Sequence, residues 1–341
     1  MIAAARDDNR IPALDFTKGA LVLIMVLYHW LNYFVSVDGG FYRYLRFLTP
    51  SFIFITGFLI SHVYLVAYRN AFSNVPIRLM QRGLKILAVF ILLNAARMFL
   101  ISDARSSLTP SNMWAPKELI SVFVTGNVSA AQSAKAAAFI ILVPISYMLL
   151  LSAAIVPLTK LCKFAFHTVC LICLLCVLLL RLNGLEYANL EFVTIGLLGV
   201  IVGYSPIEKV DAFVKHPYLL AVAYLCYAGA ITILGIIYPL QIVGVCICLM
   251  IIYMLGGKGD ESSWVRSRII LLGRYSLFGY IAQIAILQGL YRVLWPLDLG
   301  VATLVISFFA AFALMIPTVV MLDRARARLP FVDGVYKAVF A

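Results

Sequence analysis

The sequence alternates long apolar stretches with short polar ones along its whole length. Stretches of about 17 to 25 apolar residues are long enough to cross a membrane as helices. The pattern therefore predicts an all-α fold, a polytopic bundle of about ten transmembrane helices. The spans are expected near residues 18–37, 48–68, 84–101, 137–158, 164–181, 190–204, 217–236, 239–255, 269–291 and 299–321.

Basic residues between the spans set the expected orientation. With both termini in the cytoplasm, most Lys and Arg side chains gather on the cytoplasmic side, as the positive-inside tendency requires. We therefore expect a cytoplasmic N-terminal segment over 1–17, a membrane domain over 18–322 and a cytoplasmic tail over 323–341. The longest polar segment, about 102–135, is expected to face outward, where a loop of that length is usually functional or disordered.

The overall composition agrees with a membrane protein, since 64% of the residues are hydrophobic and only 12% are charged. The net charge of +12 is explained by basic residues that flank the spans and contact anionic lipid, so no nucleic-acid partner is expected. Cys170, Cys173 and Cys176 have helical spacing but no polar company and no adjacent histidine. The cysteines are therefore interpreted as packing residues, and neither a metal site nor a disulfide framework is predicted.

His29 lies near the middle of the first predicted span, where a titratable side chain usually faces inward and has a function. Lys18 precedes it by eleven residues, about three helical turns, so the two side chains share a stripe roughly 16 Å apart. Asp15 falls near the same stripe, and Asn32 extends it outward. Two plainer interpretations remain open: a buried histidine that only holds helices together, and an ordinary interfacial ion pair between Asp15 and Lys18.

The third predicted span carries polar side chains at both ends. Arg78, Arg82 and Lys85 recur at helical spacing where the span begins, so they form either a positive-inside anchor or a cradle for phosphate. Asn94 and Arg97 lie one turn apart on the outward half. Arg97 either extends to the membrane surface or belongs, with Asn94, to an outward-facing polar pocket.

In the ninth predicted span, Ser276, Tyr280 and Gln283 are spaced four and three residues apart and so lie on one helix face. Three polar groups facing lipid would be costly, which predicts that this face is turned to the bundle interior. Glu186 and Glu191, at the outer beginning of the sixth span, are interpreted as solvated loop carboxylates.

The segment LDFTKG, followed by His29, resembles the opening motif of the integral-membrane acyltransferase family three. That motif is an L-D-x-x-R-G start with a histidine on the same helix. Asp15, Gly19 and His29 match in type and spacing, and Lys18 stands where the family has arginine.

Three later segments extend the resemblance over roughly residues 9 to 322. SFIFITGF at 51–58 resembles the family's F-x-x-S-G-F segment and the F-I-S-G-F of the related periplasmic glucan succinyltransferases. RGLKIL resembles R-x-x-R-I-L, with Lys85 in place of the second arginine. LGRYSLFGYIAQ resembles L-G-x-x-S-Y-x-x-Y-L-x-H, with Gln283 in place of the histidine.

The resemblance implies a multi-pass protein of the bacterial inner (plasma) membrane that transfers an acetyl or succinyl group from cytoplasmic acyl-coenzyme A. The acceptor would be a hydroxyl of an extracytoplasmic glycan or glycolipid. No bound cofactor is expected, because acyl-coenzyme A is a substrate. His29 would act as general base or acyl relay with Asp15 and Lys18. Phosphates would be held by Lys18, Arg78, Arg82 and Lys85, and the acceptor by Asn32, Asn94, Arg97, Ser276, Tyr280 and Gln283.

Two other function classes remain open. A proton-coupled transporter or flippase would also explain polar residues at the middle of the membrane. An inactive acyltransferase-like protein that organises an assembly complex is suggested by Lys18, Lys85 and Gln283, where the sequence departs from the family motifs.

Overall fold

The structure is a computed structural model that describes residues 11–36, 42–67, 74–100, 121–126, 139–258 and 263–340. Every regular element in these ranges is helical. Eight of the helical segments are long and apolar enough to cross a membrane. The expectation of an all-α fold is confirmed, and the long apolar helices indicate a membrane protein. The count of ten spans and the cytoplasmic position of both termini stay predictions.

The described residues contain thirteen α-helices, and we number them in chain order. They are α1 (Pro12–Trp30), α2 (Leu48–Leu59), α3 (Val75–Leu100), α4 (Leu142–Leu158), α5 (Ala165–Leu182), α6 (Ala188–Gly203), α7 (Ile207–Val214), α8 (Pro217–Leu234), α9 (Tyr238–Lys258), α10 (Trp264–Arg274), α11 (Ser276–Leu294), α12 (Val301–Arg328) and α13 (Pro330–Phe340). Helices α1 and α2 continue into wider π-helical turns, Leu31–Val35 and Ile60–Ala67.

Each predicted span overlaps a helix, but three of the ten differ from the simple expectation. Helix α4 is apolar but has 17 residues, fewer than any of the eight candidate spans. Helices α6 and α7 together would form one span, but they are bent by 98° at the break between them. Pro206 lies in that break, and proline both lacks a backbone N–H and restricts the residue before it, which ends a helix.

The ninth predicted span, 269–291, begins later than the apolar pattern suggests. The chain breaks at Tyr275, whose backbone (φ −108°, ψ 26°) leaves the helical region and separates α10 from α11. The apolar helix that can cross the membrane is therefore Ser276–Leu297. Helix α10, which carries three arginines, is a separate element.

By its internal contacts the chain divides into two compact units. The first comprises Met1–Phe52 with Ile207–Lys337, and the second comprises Ile53–Pro206 with Ala338–Ala341. The core of the first unit includes the fully or almost fully buried side chains of Val22, Val26, Leu272, Met315 and Val319, from α1, α10 and α12.

Within the first unit, α1 and α10 approach closely through two glycines. A Cβ on Gly19 would overlap the carbonyl oxygen of Ile269, and a Cβ on Gly273 would overlap that of Asp15. Because glycine has no Cβ, the two backbones touch directly. This contact fixes the beginning of α1, with Asp15 and Lys18, against the basic helix α10.

The second unit uses the same device between α2 and α6. A Cβ on Gly57 would overlap the carbonyl of Gly196, and Gly199 and Gly203 lie against the backbone of Phe54 and Phe58. Small residues at this spacing are typical of closely packed membrane helices, where dispersion contacts drive association.

Candidate functional site

Helix α1 carries the predicted stripe in the first unit. It is α-helical without interruption from Pro12 to Trp30, so Lys18 and His29 are about 16 Å apart along its axis. The Nζ of Lys18 lies 2.5 Å from Oδ1 of Asp15, with the side chains only 18% and 10% exposed. The ion pair uses one of the three ammonium donors and leaves two for other partners.

His29 is half-buried and makes no hydrogen bond to any residue that the structure describes. Its ring packs edge-on against Tyr28, with the centroids 5.2 Å apart, and faces Tyr280 of α11 at 6.5 Å. A histidine that only held helices together would be expected to donate or accept a hydrogen bond between them. Within the part of the chain that the structure describes, no residue occupies either ring nitrogen of His29, so both are candidates for contact with a bound molecule.

Immediately after His29 the helix widens into a π-helical turn, in which Ser36 N–H bonds to the carbonyl of Leu31. Asn32 lies in this turn, and its Oδ1 accepts a hydrogen bond of 3.1 Å from the hydroxyl of Tyr42. The ring of Tyr42 packs against Tyr28, which also contacts His29. Single π-helical turns occur frequently at functional sites. Asn32 is thus connected to the surroundings of His29 through two tyrosines.

Helix α11 supplies the facing side chains. Tyr280 and Gln283 are buried, with 8% and 1% of their surface exposed, as their spacing predicts, and Ser276 is half-buried. Neither the Nε2 nor the Oε1 of Gln283 has a hydrogen-bond partner among the described residues. Leaving a buried polar group unpaired costs about 1–3 kcal/mol. An amide kept at that cost one turn from Tyr280 is a strong candidate for binding a ligand.

The basic residues predicted on the third span belong to the second unit. Arg78 and Arg82 are exposed and Lys85 is half-buried. Nη1 of Arg82 donates a hydrogen bond of 3.2 Å to the hydroxyl of Tyr64. Their expected role in holding phosphate stays a prediction.

The outward residues of the same helix are less informative. Asn94 is buried, and its Nδ2 donates to the carbonyl of Phe90 at 2.9 Å, so this donor is satisfied within its own helix. Arg97 lies in α3, but its side chain is outside the described residues, as is most of the predicted loop 102–135.

The interpretation of Glu191 as a solvated loop carboxylate is wrong. Glu191 is 6% exposed rather than solvated, and Arg181 donates to its two carboxylate oxygens at 2.8 and 3.0 Å. Glu186 is exposed and lies 3.4 Å from the same guanidinium, as expected of a loop carboxylate. The arginine on the preceding helix was the signal that could have predicted the pair.

The structure also reveals a basic cluster that the sequence analysis attributed to topology alone. Arg266, Arg268 and Arg274 of α10 line a cavity of about 480 Å³ that begins beside Pro12 of α1. Arg266 donates through Nε and Nη2 to the carbonyl of Gly256, at 3.2 and 2.9 Å. The break between α10 and α11, which places these arginines outside the apolar span, was hidden in the hydropathy pattern.

A polar network holds the end of α12 beside this cavity. The hydroxyl of Tyr275 donates to Asp323 at 2.7 Å and accepts from Nη1 of Arg326 at 3.0 Å. Burial and the bond to Asp323 raise the pKa of Tyr275 to about 12, so the phenol stays protonated and can donate. Arg326 also donates to Asp333 at 2.6 Å and stacks on Tyr336, 3.8 Å from the ring centre.

The long apolar helices and their buried polar residues define a polytopic helical membrane protein. Comparison with family models, curated proteins and solved structures finds no match to this chain. Among the described residues no group of three His, Cys, Asp or Glu side chains is arranged to hold a metal ion.

Proposed function

We propose that the protein is an acyltransferase of the bacterial inner membrane, similar in mechanism to the integral-membrane acyltransferase family three. It would move an acetyl or succinyl group from cytoplasmic acyl-coenzyme A to a hydroxyl of an extracytoplasmic glycan or glycolipid. Both termini would then lie in the cytoplasm, together with the basic end of α1.

The observation that carries the proposal is the arrangement along α1. One uninterrupted helix presents a half-buried ion pair at Asp15 and Lys18 and, about 16 Å further, a histidine without hydrogen bonds to described residues. Coenzyme A joins an anionic nucleotide head to a pantetheine arm on the order of 15–20 Å long, so a helix of this kind suits both ends of the donor.

The reaction needs a group that takes up a proton, close to the hydroxyl that receives the acyl group. In the direct route, His29 takes the hydroxyl proton while the oxygen attacks the thioester carbonyl carbon. The carbon–sulfur bond then breaks, and the imidazolium returns its proton to the departing sulfur to give coenzyme A thiol. In the relay route, a ring nitrogen of His29 attacks the thioester carbonyl carbon, the carbon–sulfur bond breaks, and the leaving sulfur takes the proton from the other ring nitrogen. The acceptor hydroxyl then attacks the acyl group, the carbon–nitrogen bond breaks, and the hydroxyl proton returns to the imidazole. Both routes yield the same ester and thiol.

Tyr280, Gln283 and Asn32 provide the groups that would orient a sugar hydroxyl near His29. Gln283 has a donor and an acceptor without a partner among the described residues, and Tyr280 faces the imidazole. Glutamine cannot transfer a proton at neutral pH, so its contribution would be to hold the acceptor rather than to act as acid or base.

The first test measures release of free thiol from acetyl-coenzyme A and from succinyl-coenzyme A by the purified protein. His29→Ala is expected to lower the rate by about 10²–10⁴-fold, the usual contribution of a general base. Binding of coenzyme A itself should persist. His167→Ala is the matched control, because His167 is an exposed histidine in the second unit.

The outcomes separate the candidate functions. If His29→Ala released thiol at the wild-type rate, His29 would be neither the general base nor the acyl relay. Uptake into vesicles driven by a proton gradient, without thioester consumption, would identify a transporter instead. A protein that neither consumes thioester nor transports would support the inactive assembly role. The relay is tested with a labelled acyl group on coenzyme A and no acceptor present. Label that stays bound to the wild-type protein, but not to His29→Ala, would support the relay over the direct route.

A further inference from the structure

We propose that the cavity lined by Arg266, Arg268 and Arg274 is a binding site for an organic phosphate at the basic end of the first unit. This α10 cleft has three guanidinium groups and one carboxylate, Asp323, among its lining residues. Its volume of about 480 Å³ lies within the range of about 300–1,000 Å³ typical of small-molecule sites.

The contacts of the charged side chains indicate that the cleft arginines are not paired with a described carboxylate of the protein and can bind phosphate. The guanidinium carbon of Arg268 lies over the ring of Trp264, 5.6 Å from its centroid, a cation–π contact that does not neutralise the charge. Arg274 is exposed and forms no hydrogen bond or ion pair with a described residue. Asp323 accepts a hydrogen bond from Tyr275 at 2.7 Å and forms no ion pair with a described arginine. Arginine forks match phosphate oxygens and bind them in a bidentate manner.

The cleft is also held in place by the backbone. Arg266 donates twice to the carbonyl of Gly256, and Gly273 at the other end of α10 lies directly on α1. A helix fixed at both ends presents its arginines without a large ordering cost when a ligand binds. An arginine serving only the topology rule would need neither a cavity nor this support.

Lys18 adds little net charge at this end of the first unit, because Asp15 balances it at 2.5 Å. The three guanidinium groups of the α10 cleft are not balanced in this way by a described residue, and they line a common cavity. Organic phosphate can reach the cleft from two sources, a nucleotide head such as that of coenzyme A or the headgroup of an anionic lipid. The inference does not require acyl transfer, because it concerns only the binding of phosphate.

The test compares two double variants that remove the same charge from the same end. Arg268→Gln with Arg274→Gln removes the guanidinium groups that the fold does not use for backbone contacts. Arg324→Gln with Arg328→Gln removes two exposed arginines of α12 that do not line the cleft. Arg266 is left in place, because its bonds to Gly256 make it structural.

Binding of unacylated coenzyme A is measured in neutral-lipid nanodiscs, and binding of phosphatidylglycerol is measured in detergent. We expect the cleft variant to weaken one of these probes by about tenfold or more, while the α12 variant leaves it within about twofold of wild type. Loss confined to coenzyme A identifies a nucleotide site, and loss confined to phosphatidylglycerol identifies a lipid site. Equal effects of the two variants, or no effect on either probe, would overturn the proposal.

Discussion

Gly19 and Gly273 lie on each other's helix backbone. A Cβ added to either glycine would be 3.0 Å from the backbone nitrogen of the other and would overlap a neighbouring carbonyl oxygen. The first helix, with Asp15, Lys18 and His29, is therefore fixed in register against the basic helix α10. Any movement of α10 would be transmitted to the ion pair at the beginning of α1.

The first prediction concerns this contact. Gly19→Ala and Gly273→Ala should each lower the free energy of unfolding by about 1–3 kcal/mol, because the new methyl group meets backbone atoms that cannot move aside. Thermal unfolding of the purified protein in detergent measures the effect.

Gly289→Ala in α11 is the control for helix propensity. A Cβ at Gly289 would meet nothing within 4 Å, so the substitution should raise stability by about 0.5–1 kcal/mol. Gly289→Ala should therefore raise the free energy of unfolding, whereas Gly19→Ala and Gly273→Ala should lower it. Equal effects at Gly19 and Gly289 would contradict the close approach of α1 and α10.

The sequence predicted the features that depend on local periodicity. The apolar pattern located the helices, and a spacing of eleven residues placed Lys18 and His29 on one stripe of α1. The spacing of Tyr280 and Gln283 likewise predicted that both face the bundle interior, and both are buried. Each of these follows from 3.6 residues per turn and from the cost of exposing polar groups to lipid.

Features that depend on contacts between distant segments could not be predicted in this way. The break at Tyr275 lies within a continuous apolar pattern and coincides with a hydroxyl bound by Asp323 and Arg326, 48 and 51 residues later. The pairing of Arg181 with Glu191 crosses a turn that hydropathy does not describe, and the arginine at the end of the preceding helix was its only signal in the sequence.

The second prediction separates stability from function at Gln283. Gln283→Leu should raise the free energy of unfolding by about 1–3 kcal/mol, because it removes a buried amide that has no partner among the described residues. The same variant should lose activity or ligand binding if the amide serves the site. Thermal unfolding and thiol release from acyl-coenzyme A are measured on one preparation.

Gln288→Leu, on the same helix but only half-buried, is the matched control and should change both quantities little. A large loss of stability in Gln283→Leu would indicate that the amide is held by the fold and would argue against a ligand role.

The third prediction concerns the attachment of α13 to α12. Hydrogen bonds from Lys337 and Arg326 hold the pKa of Asp333 below its usual value. The carboxylate therefore stabilises the attachment fully above its ordinary pKa of about 3.9, and this contribution is lost as the pH falls through the lower folded value. Hydrogen-exchange protection factors of the α13 amides, corrected for intrinsic rates, measure it.

Arg326→Gln should reduce protection over Pro330–Phe340 already at neutral pH, because it removes the bonds to both Asp333 and Tyr275. Arg328→Gln makes the same charge change at an exposed position and should leave protection unchanged. Protection that survives in Arg326→Gln would show that α13 is held by its apolar contacts alone.

The fourth prediction compares two carboxylates that contact the same arginine in the second unit. The side chain of Glu191 is 8% exposed and receives two hydrogen bonds from Arg181, whereas the side chain of Glu186 is 63% exposed and lies 3.4 Å away. Glu191→Gln should cost about 1–3 kcal/mol of unfolding free energy, since it leaves a guanidinium with 30% exposure without its main counter-charge. Glu186→Gln should cost under about 1 kcal/mol, as exposed pairs do. Equal costs in thermal unfolding would mean that burial of Glu191 does not strengthen its bond to Arg181.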